Sequence, residues 1–178
     1  MRTIAVADSC IGGISVIKPL LSNISSTHIQ FLADYAVNPL GTKAEGDIED
    51  VTRRWLEYGE NFADTLILAC NTLSIMFDSL RPKGSMFSGG RVFTMVDCFN
   101  EMIGRDSQIF KNQKVLILGT RFTSSQPLYR TSISKYTQAL SVESFAATAL
   151  ERQVAHLLPW DPESTKIIAN ELKEPFMR

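Results

Sequence analysis

The sequence predicts an α/β fold, doubly wound around mainly parallel sheets, and three observations support this. Short apolar runs alternate along the chain with stretches of helical periodicity. Most of the runs are continuously apolar, which is typical of parallel strands covered on both faces. Small polar and acidic residues follow the runs, at the points where ligands bind to parallel sheets.

The elements can be placed in order along the chain. The clearest helix is Asp47–Phe62, whose apolar residues recur at helical spacing, with a charged opposite face. The segment Arg81–Gly90 has a proline and three glycines and is predicted to be a loop. The predicted strands are Thr3–Asp8, Ile29–Asp34, Thr65–Cys70, Arg91–Asp97, Lys114–Gly119 and Ala139–Phe145. The apolar face of the helix is predicted to comprise Ile48, Val51, Trp55, Tyr58 and Phe62.

Composition excludes several classes of function. The chain has 178 residues, of which 44% are hydrophobic and 21% charged, as in ordinary globular proteins. A formal net charge of -1 argues against binding to nucleic acid, which requires an excess of basic residues. No apolar run approaches the roughly 20 residues that span a membrane, and the N-terminus turns polar too soon for a signal peptide. We therefore expect a cytoplasmic protein with neither nucleic acid nor membrane as a partner.

The three cysteines are odd in number and widely spaced, which argues against a disulfide framework. There is no Cys-x-x-Cys pair, and neither histidine has metal-ligand spacing around it, so no metal site is expected. Cys70 is the most informative of the three, because it stands where a buried strand passes into a helix. The amides of the first helical turn favour an anion, so we expect the pKa of this thiol to be lowered. An inert, buried cysteine is the equally weighted alternative.

Two further turns follow strands. The stretch Asp8-Ser9-Cys10-Ile11-Gly12-Gly13 is a tight turn whose amides can face a carboxylate or phosphate, although it lacks the lysine of a P-loop. The stretch Asn38-Pro39-Leu40-Gly41-Thr42 is a third turn, and alone it indicates nothing specific.

Taken together and in order, these motifs resemble the aspartate/glutamate racemase superfamily, and the glutamate racemases most closely. The resemblance runs from the N-terminus to about Ser124 and then fades. It implies two α/β lobes that hold an amino acid between them and need no cofactor. It assigns catalysis to Cys70 and Asp8, with one thiol on each side of the substrate taking and returning the Cα proton. It assigns substrate binding to Ser9, Pro39, Gly41, Asn71, Thr72, Thr120 and Thr123.

The chain departs from the family pattern in three ways. Cys10 replaces a glycine, Leu40 replaces a tyrosine, and the Gly-Cys-Thr-His motif of the second thiol is absent. We therefore expect a first lobe over residues 1–97 and an incomplete second lobe over 98–178, truncated or decayed. Cys98 and His156 are not substitutes by motif.

The resemblance thus implies a cofactor-independent racemase, with glutamate or aspartate as its small-molecule substrate, that supplies D-glutamate for peptidoglycan. The chain alone is expected to racemise poorly, and its uncovered apolar surface favours a homodimer. Two alternatives stay open: a one-thiol decarboxylase or isomerase of the same superfamily, and a protein that binds a small acid without catalysis.

Overall fold

The fold class predicted from the sequence is confirmed by a computed structural model that describes residues 1–81 and 91–177. Helices alternate with strands, and the strand pairings within the described residues are parallel. The strands are β1 (Arg2–Asp8), β2 (Thr27–Ala33), β3 (Thr65–Leu68), β4 (Arg91–Thr94), β5 (Lys114–Gly119) and β6 (Ser141–Ala146). The α-helices are α1 (Ile14–Asn23), α2 (Glu45–Phe62), α3 (Asn71–Leu80), α4 (Met95–Arg105), α5 (Arg121–Ser125), α6 (Leu128–Tyr136), α7 (Thr148–Ala155) and α8 (Pro162–Phe176). Two short 3-10 helices, Tyr35–Val37 and Leu40–Thr42, lie between β2 and α2.

The chain packs as two compact units, Met1–Cys98 and Phe99–Arg178. The first unit contains a four-stranded sheet in the order β2-β1-β3-β4. The connection from β1 to β2 runs across the sheet in the opposite direction from the next two connections. Right-handed crossovers therefore place α1 on one face of the sheet and both α2 and α3 on the other.

The face under α2 and α3 is the core of the first unit. Leu66 and Leu68 of β3 are fully buried there, and α2 contributes Ile48 and Leu56. The predicted apolar stripe of α2 was wrong toward its C-terminus, since Phe62 is 60% exposed. The helix is rotated so that its small and aliphatic residues meet the sheet, while its aromatic rings pack on one another at the edge.

The opposite face of the first sheet is only partly covered. Arg91 and Phe93 of β4 point to this side and are exposed, whereas the alternating Thr94 is fully buried. The prediction that the strands are covered on both faces is therefore wrong for β4, because α1 lies over the β1 and β2 side of the sheet.

The predicted strand Arg91–Asp97 ends three residues early. The hydroxyl oxygen of Thr94 accepts a hydrogen bond from the Asp97 N–H at 3.0 Å, which turns the chain into α4 at Met95. Asp97 and Cys98 are consequently helical residues and do not lie at a strand end. The predicted loop at Arg81–Gly90 lies, apart from Arg81, outside the described residues.

The second unit is built on the parallel pair β5-β6. Asp161 begins α8 with a capping box, in which its carboxylate accepts the Ser164 N–H at 2.7 Å. The Glu171 carboxylate accepts hydrogen bonds from the Ala149 and Leu150 N–H groups at 2.8 and 3.3 Å. Glu171 thereby ties α8 to the first turn of α7.

Candidate active site

The first unit brings three of the predicted residues into one cluster. Asp8 ends β1, Ser9 follows it, and Cys70 stands between β3 and α3. Because β1 and β3 are neighbouring parallel strands, their carboxyl ends share one edge of the sheet. Ser9 Oγ lies 3.6 Å from Cys70 Sγ, and the exposed fractions of Asp8, Ser9 and Cys70 are 4, 6 and 9%.

The Asp8 carboxylate is fixed by the turn between β1 and α1. Asp8 Oδ2 accepts a hydrogen bond from the Gly13 N–H at 2.5 Å. A Cβ on Gly13 would lie 2.9 Å from the Phe31 ring and 3.2 Å from the Ala69 Cβ. Only glycine therefore allows the turn to come this close to Asp8. The amide predicted to face a ligand is instead occupied by the protein's own carboxylate.

Cys70 lies where a strand passes into a helix, as the sequence predicted, and it is the N-cap of α3. The expected lowering of its pKa is wrong. Burial raises the pKa of Cys70, and the negative charge of Asp8 raises it further. Hydrogen bonds from the Leu73 backbone and from the side chain and backbone of Ser9 act in the opposite direction and are outweighed. In a dry site the loss of hydration opposes the thiolate more strongly than the helix amides favour it.

Cys10 is a second thiol in the same cluster. Its Sγ lies 3.8 Å from Asp8 Oδ2, to which it donates, and its side chain is half-buried. Burial also raises the pKa of Cys10, with a further contribution from the charge of Asp8. Both thiols therefore share one carboxylate that disfavours their ionised forms.

The other residues predicted in the first unit lie on elements that reach the same sheet edge. Pro39 and Gly41 belong to the loop that follows β2, where Pro39 begins a 3-10 helix and Gly41 is buried. Asn71 is the first residue of α3 and not its N-cap, a position that Cys70 takes. Thr72, in the same first turn, is 2% exposed.

Thr120 and Thr123 form a separate cluster in the second unit. Thr120 begins α5 directly after β5, and its hydroxyl oxygen accepts the Thr123 N–H at 3.1 Å. Their hydroxyl oxygens are also 3.1 Å apart. The two threonines therefore stabilise the turn between β5 and α5.

Two residues that the sequence left as weak candidates do not join these clusters. Cys98 is exposed on α4, and His156 is exposed at the C-terminal end of α7. Sequence reasoning missed the role of Glu171, because its partners on α7 are more than twenty positions away. Glu151 lies one turn into α7, and its Oε2 is buried without a hydrogen-bond partner. Burial raises the pKa of Glu151, Arg121 lowers it, and the charge of Glu171 raises it further.

Within residues 1–81 and 91–177, no helix is long and apolar enough to cross a membrane. Nor do three or more histidine, cysteine or acidic side chains gather in those ranges in a way that could hold a metal ion.

No family model matches the chain. Its sequence is similar to those of glutamate racemases. Glutamate racemase from Staphylococcus epidermidis is 27% identical over 178 residues, covering 96% of this chain and 62% of the relative. Glutamate racemase from Staphylococcus aureus strain JH9 is 24% identical over 181 residues, with the same coverage. The chain thus spans about 62% of the length of these curated relatives.

Comparison with solved structures also finds similarity to glutamate racemases. The crystal structure of glutamate racemase from Campylobacter jejuni matches with a TM-score of 0.77 and 25% identity, over 96% of this chain and 67% of that one. Glutamate racemase from Francisella tularensis, solved in complex with D-glutamate, matches with a TM-score of 0.75 and 21% identity, over 96% of this chain and 62% of that one.

The structure is that of an α/β protein of two parallel-sheet units. In the first unit a thiol, a carboxylate and a hydroxyl lie together at strand ends, and in the second unit two hydroxyls follow a strand. The comparisons identify the chain as glutamate-racemase-like in sequence and in fold.

Proposed function

We propose that the chain binds an acidic amino acid, glutamate or aspartate, and that Cys70 exchanges the Cα proton of this ligand without a cofactor. The observation that carries the proposal is the contact between Cys70 and Ser9 beside the buried Asp8 carboxylate. This cluster lies at the carboxyl edge of a parallel sheet, where α/β proteins bind their ligands.

The chemistry requires a dry site with fixed donors. An amino-acid Cα proton is very weakly acidic, so the carbanion that forms must be surrounded by preorganised hydrogen-bond donors. Cys70 is held as a neutral thiol, because burial and Asp8 raise its pKa. In this state it can deliver a proton. To remove one, it must first lose its own proton.

Asp8 supplies a way to achieve this. A ligand ammonium placed beside the Asp8 carboxylate would neutralise the charge that raises the Cys70 pKa. The ligand would thereby favour the thiolate: the thiol proton passes to solvent as the ligand binds, and the thiolate then takes the Cα proton and becomes a thiol again. Asp8 would act as a catalytic group through its charge. In the first unit the residues proposed to hold the ligand are Ser9, Pro39, Gly41, Asn71 and Thr72. In the second unit Thr120 and Thr123 are proposed as ligand-binding residues.

Racemisation needs a proton taken from one face of Cα and returned to the other. The sequence contains one thiol in a family motif, Cys70, and no Gly-Cys-Thr-His stretch. We therefore expect this 178-residue chain to racemise glutamate slowly or undetectably, since a positioned acid or base contributes about 10²–10⁴ in rate. Turnover is measured by circular dichroism of D-glutamate formation. Robust turnover by the wild-type chain would contradict the expectation of slow racemisation, and turnover that survives Cys70→Ser would overturn the role proposed for Cys70.

A second candidate function is binding of a small acid without catalysis. The raised pKa of Cys70 favours it, because a neutral buried thiol is a poor base. The two functions differ in one measurement: glutamate would raise the unfolding temperature in both, but deuterium would enter Cα only with catalysis. The three cysteines are thiols and not disulfides, which accords with the proposed cytoplasmic location.

A further inference from the structure

We propose that Glu151 and Glu171 control, through a single proton, how firmly α8 is held on the first turn of α7. We call these two residues the acid pair. Glu151 belongs to α7 itself, whereas Glu171 belongs to α8 and lies 22 positions beyond Ala149, whose amide it accepts. The turn follows β6 at the carboxyl edge of the second sheet, where α/β proteins bind their ligands.

Glu171 supplies the N-terminal cap that α7 lacks in its own sequence. The N-cap residue is Ala147, whose side chain makes no capping hydrogen bond. The Glu171 carboxylate takes this place from α8: Oε1 accepts the Ala149 N–H at 2.8 Å, and Oε2 accepts the Leu150 N–H at 3.3 Å. Helix N-terminal amides favour a negative charge, so this contact depends on the ionised form of Glu171.

Glu151 is placed where its own negative charge opposes that contact. Its Oε2 is buried and has no hydrogen-bond partner among the described residues. A buried carboxylate oxygen without a donor favours the neutral acid, because the charged form is poorly solvated there. Burial accordingly raises the pKa of Glu151, Arg121 lowers it, and the charge of Glu171 raises it further.

The cations near Glu151 do not compensate for this burial. Arg121, the first residue of α5, acts on Glu151, but it is exposed and solvent screens its charge. Arg152, the next residue of α7, is exposed as well. The charged residues of the two strands beneath, Lys114 and Glu143, are also exposed.

Acidic side chains dominate the contact between α7 and α8. A groove of about 600 Å³ separates the two helices, and Arg152 lines it together with three acids, Asp161, Glu163 and Glu171. A second ionised carboxylate of the acid pair therefore adds to an existing excess of negative charge. A proton on Glu151 removes that addition.

The two protonation states consequently differ in how Glu171 is held. With Glu151 neutral, the acid pair carries one negative charge, and Glu171 caps α7. When Glu151 releases its proton to solvent, the pair carries two negative charges, and repulsion weakens the hydrogen bonds from Ala149 and Leu150. Since folding raises the pKa of Glu151 from 4.5, its contribution to the stability of the second unit is fully present below about pH 4.5. It is lost as the pH rises through the raised value.

The test follows the amide proton signals of Ala149 and Leu150 by NMR in the whole chain, from about pH 4.5 to about pH 8. A hydrogen bond to a carboxylate holds such a signal downfield. In the wild type we expect both signals to move upfield as the pH rises. They should stay downfield throughout in Glu151→Gln, which cannot ionise. The matched control is Glu163→Gln, an exposed acid of the same groove, and it should titrate like the wild type.

Urea unfolding followed by Trp160 fluorescence gives an independent readout. The urea midpoint of Glu151→Gln relative to the wild type should increase as the pH rises, because only the wild type gains the second charge. Signals of Ala149 and Leu150 that do not move with pH in the wild type would overturn the proposal, whether or not the variant folds. Equal movement in Glu151→Gln would overturn it as well. None of these results depends on whether Cys70 exchanges a proton with a ligand.

Discussion

The turn between β1 and α1 positions Asp8, and substituting Gly13 tests how tightly it does so. The backbone of Gly13 has φ -60° and ψ -17°, which alanine adopts without strain. Any loss of stability in Gly13→Ala therefore arises from packing alone. The added Cβ would lie 2.9 Å from Phe31 Cε2, 3.1 Å from Asp8 Cβ and 3.2 Å from Ala69 Cβ. Overpacking of this kind costs about 1–3 kcal/mol.

Gly46→Ala is the matched control. Gly46 is inside α2, and a Cβ there meets nothing within 4 Å. Alanine is better than glycine in a helix by about 0.5–1 kcal/mol, so this variant should be slightly stabilised. The two variants should therefore differ by about 1.5–4 kcal/mol in the free energy of unfolding.

The assay is urea unfolding of the first unit. The chain has two tryptophans, Trp55 in the first unit and Trp160 in the second. In a Trp160→Phe background, the fluorescence of Trp55 follows the first unit alone. Equal urea midpoints for Gly13→Ala and Gly46→Ala would refute the close packing of the turn on Phe31 and Ala69.

Three further predictions follow from burial, pKa and capping. At neutral pH and low protein concentration, exposed Cys98 should be alkylated faster than buried Cys70, and equal peptide-level rates by mass spectrometry would contradict the burial of the site. Partial burial acts to raise the pKa of Asp97, but hydrogen bonds from Arg81 and Thr94 outweigh it and hold the pKa below its usual 3.8. The resulting stabilisation is present above about pH 5 and is lost as the pH falls through the lowered value, so the urea midpoint should depend less on acid in Asp97→Asn than in the wild type. Asp161→Ala removes the capping box of α8 and should lower the urea midpoint of the second unit, which Trp160 fluorescence would report; an unchanged midpoint would show that the cap is dispensable.

The fold was largely predictable because its signals are local. Continuous apolar runs gave the strands of both sheets, and their parallel pairing followed from the alternation with helices. The predicted bounds were wrong where a side-chain contact changes the structure that the apolar pattern predicts. Thr94 ends β4 by accepting a hydrogen bond from the Asp97 N–H, and this contact cannot be predicted from the spacing of apolar residues. The open side of β4 was missed because apolar content does not show which face a neighbouring helix covers.

The proximity of Asp8 and Ser9 to Cys70 was predictable from the sequence, whereas the electrostatics of this cluster were not. Strand ends on adjacent parallel strands must meet, and this placed Asp8 and Ser9 beside Cys70. The direction of the Cys70 pKa could not be predicted, because it depends on a balance between helix amides, burial and the charge of Asp8. Burial is a property of the packed chain and not of the motif.

Hydrogen exchange at Cα tests the central claim about Cys70 most directly. The chain is incubated in D₂O with L-glutamate and, separately, with L-aspartate, and loss of the Cα proton signal is followed by NMR. Deuterium should enter Cα in the wild type and in the Cys98→Ser control, and the rate should fall at least about 100-fold in Cys70→Ser. Exchange that continues unchanged in Cys70→Ser, or that is absent from the wild type with both acids, would contradict a proton-transferring role for Cys70.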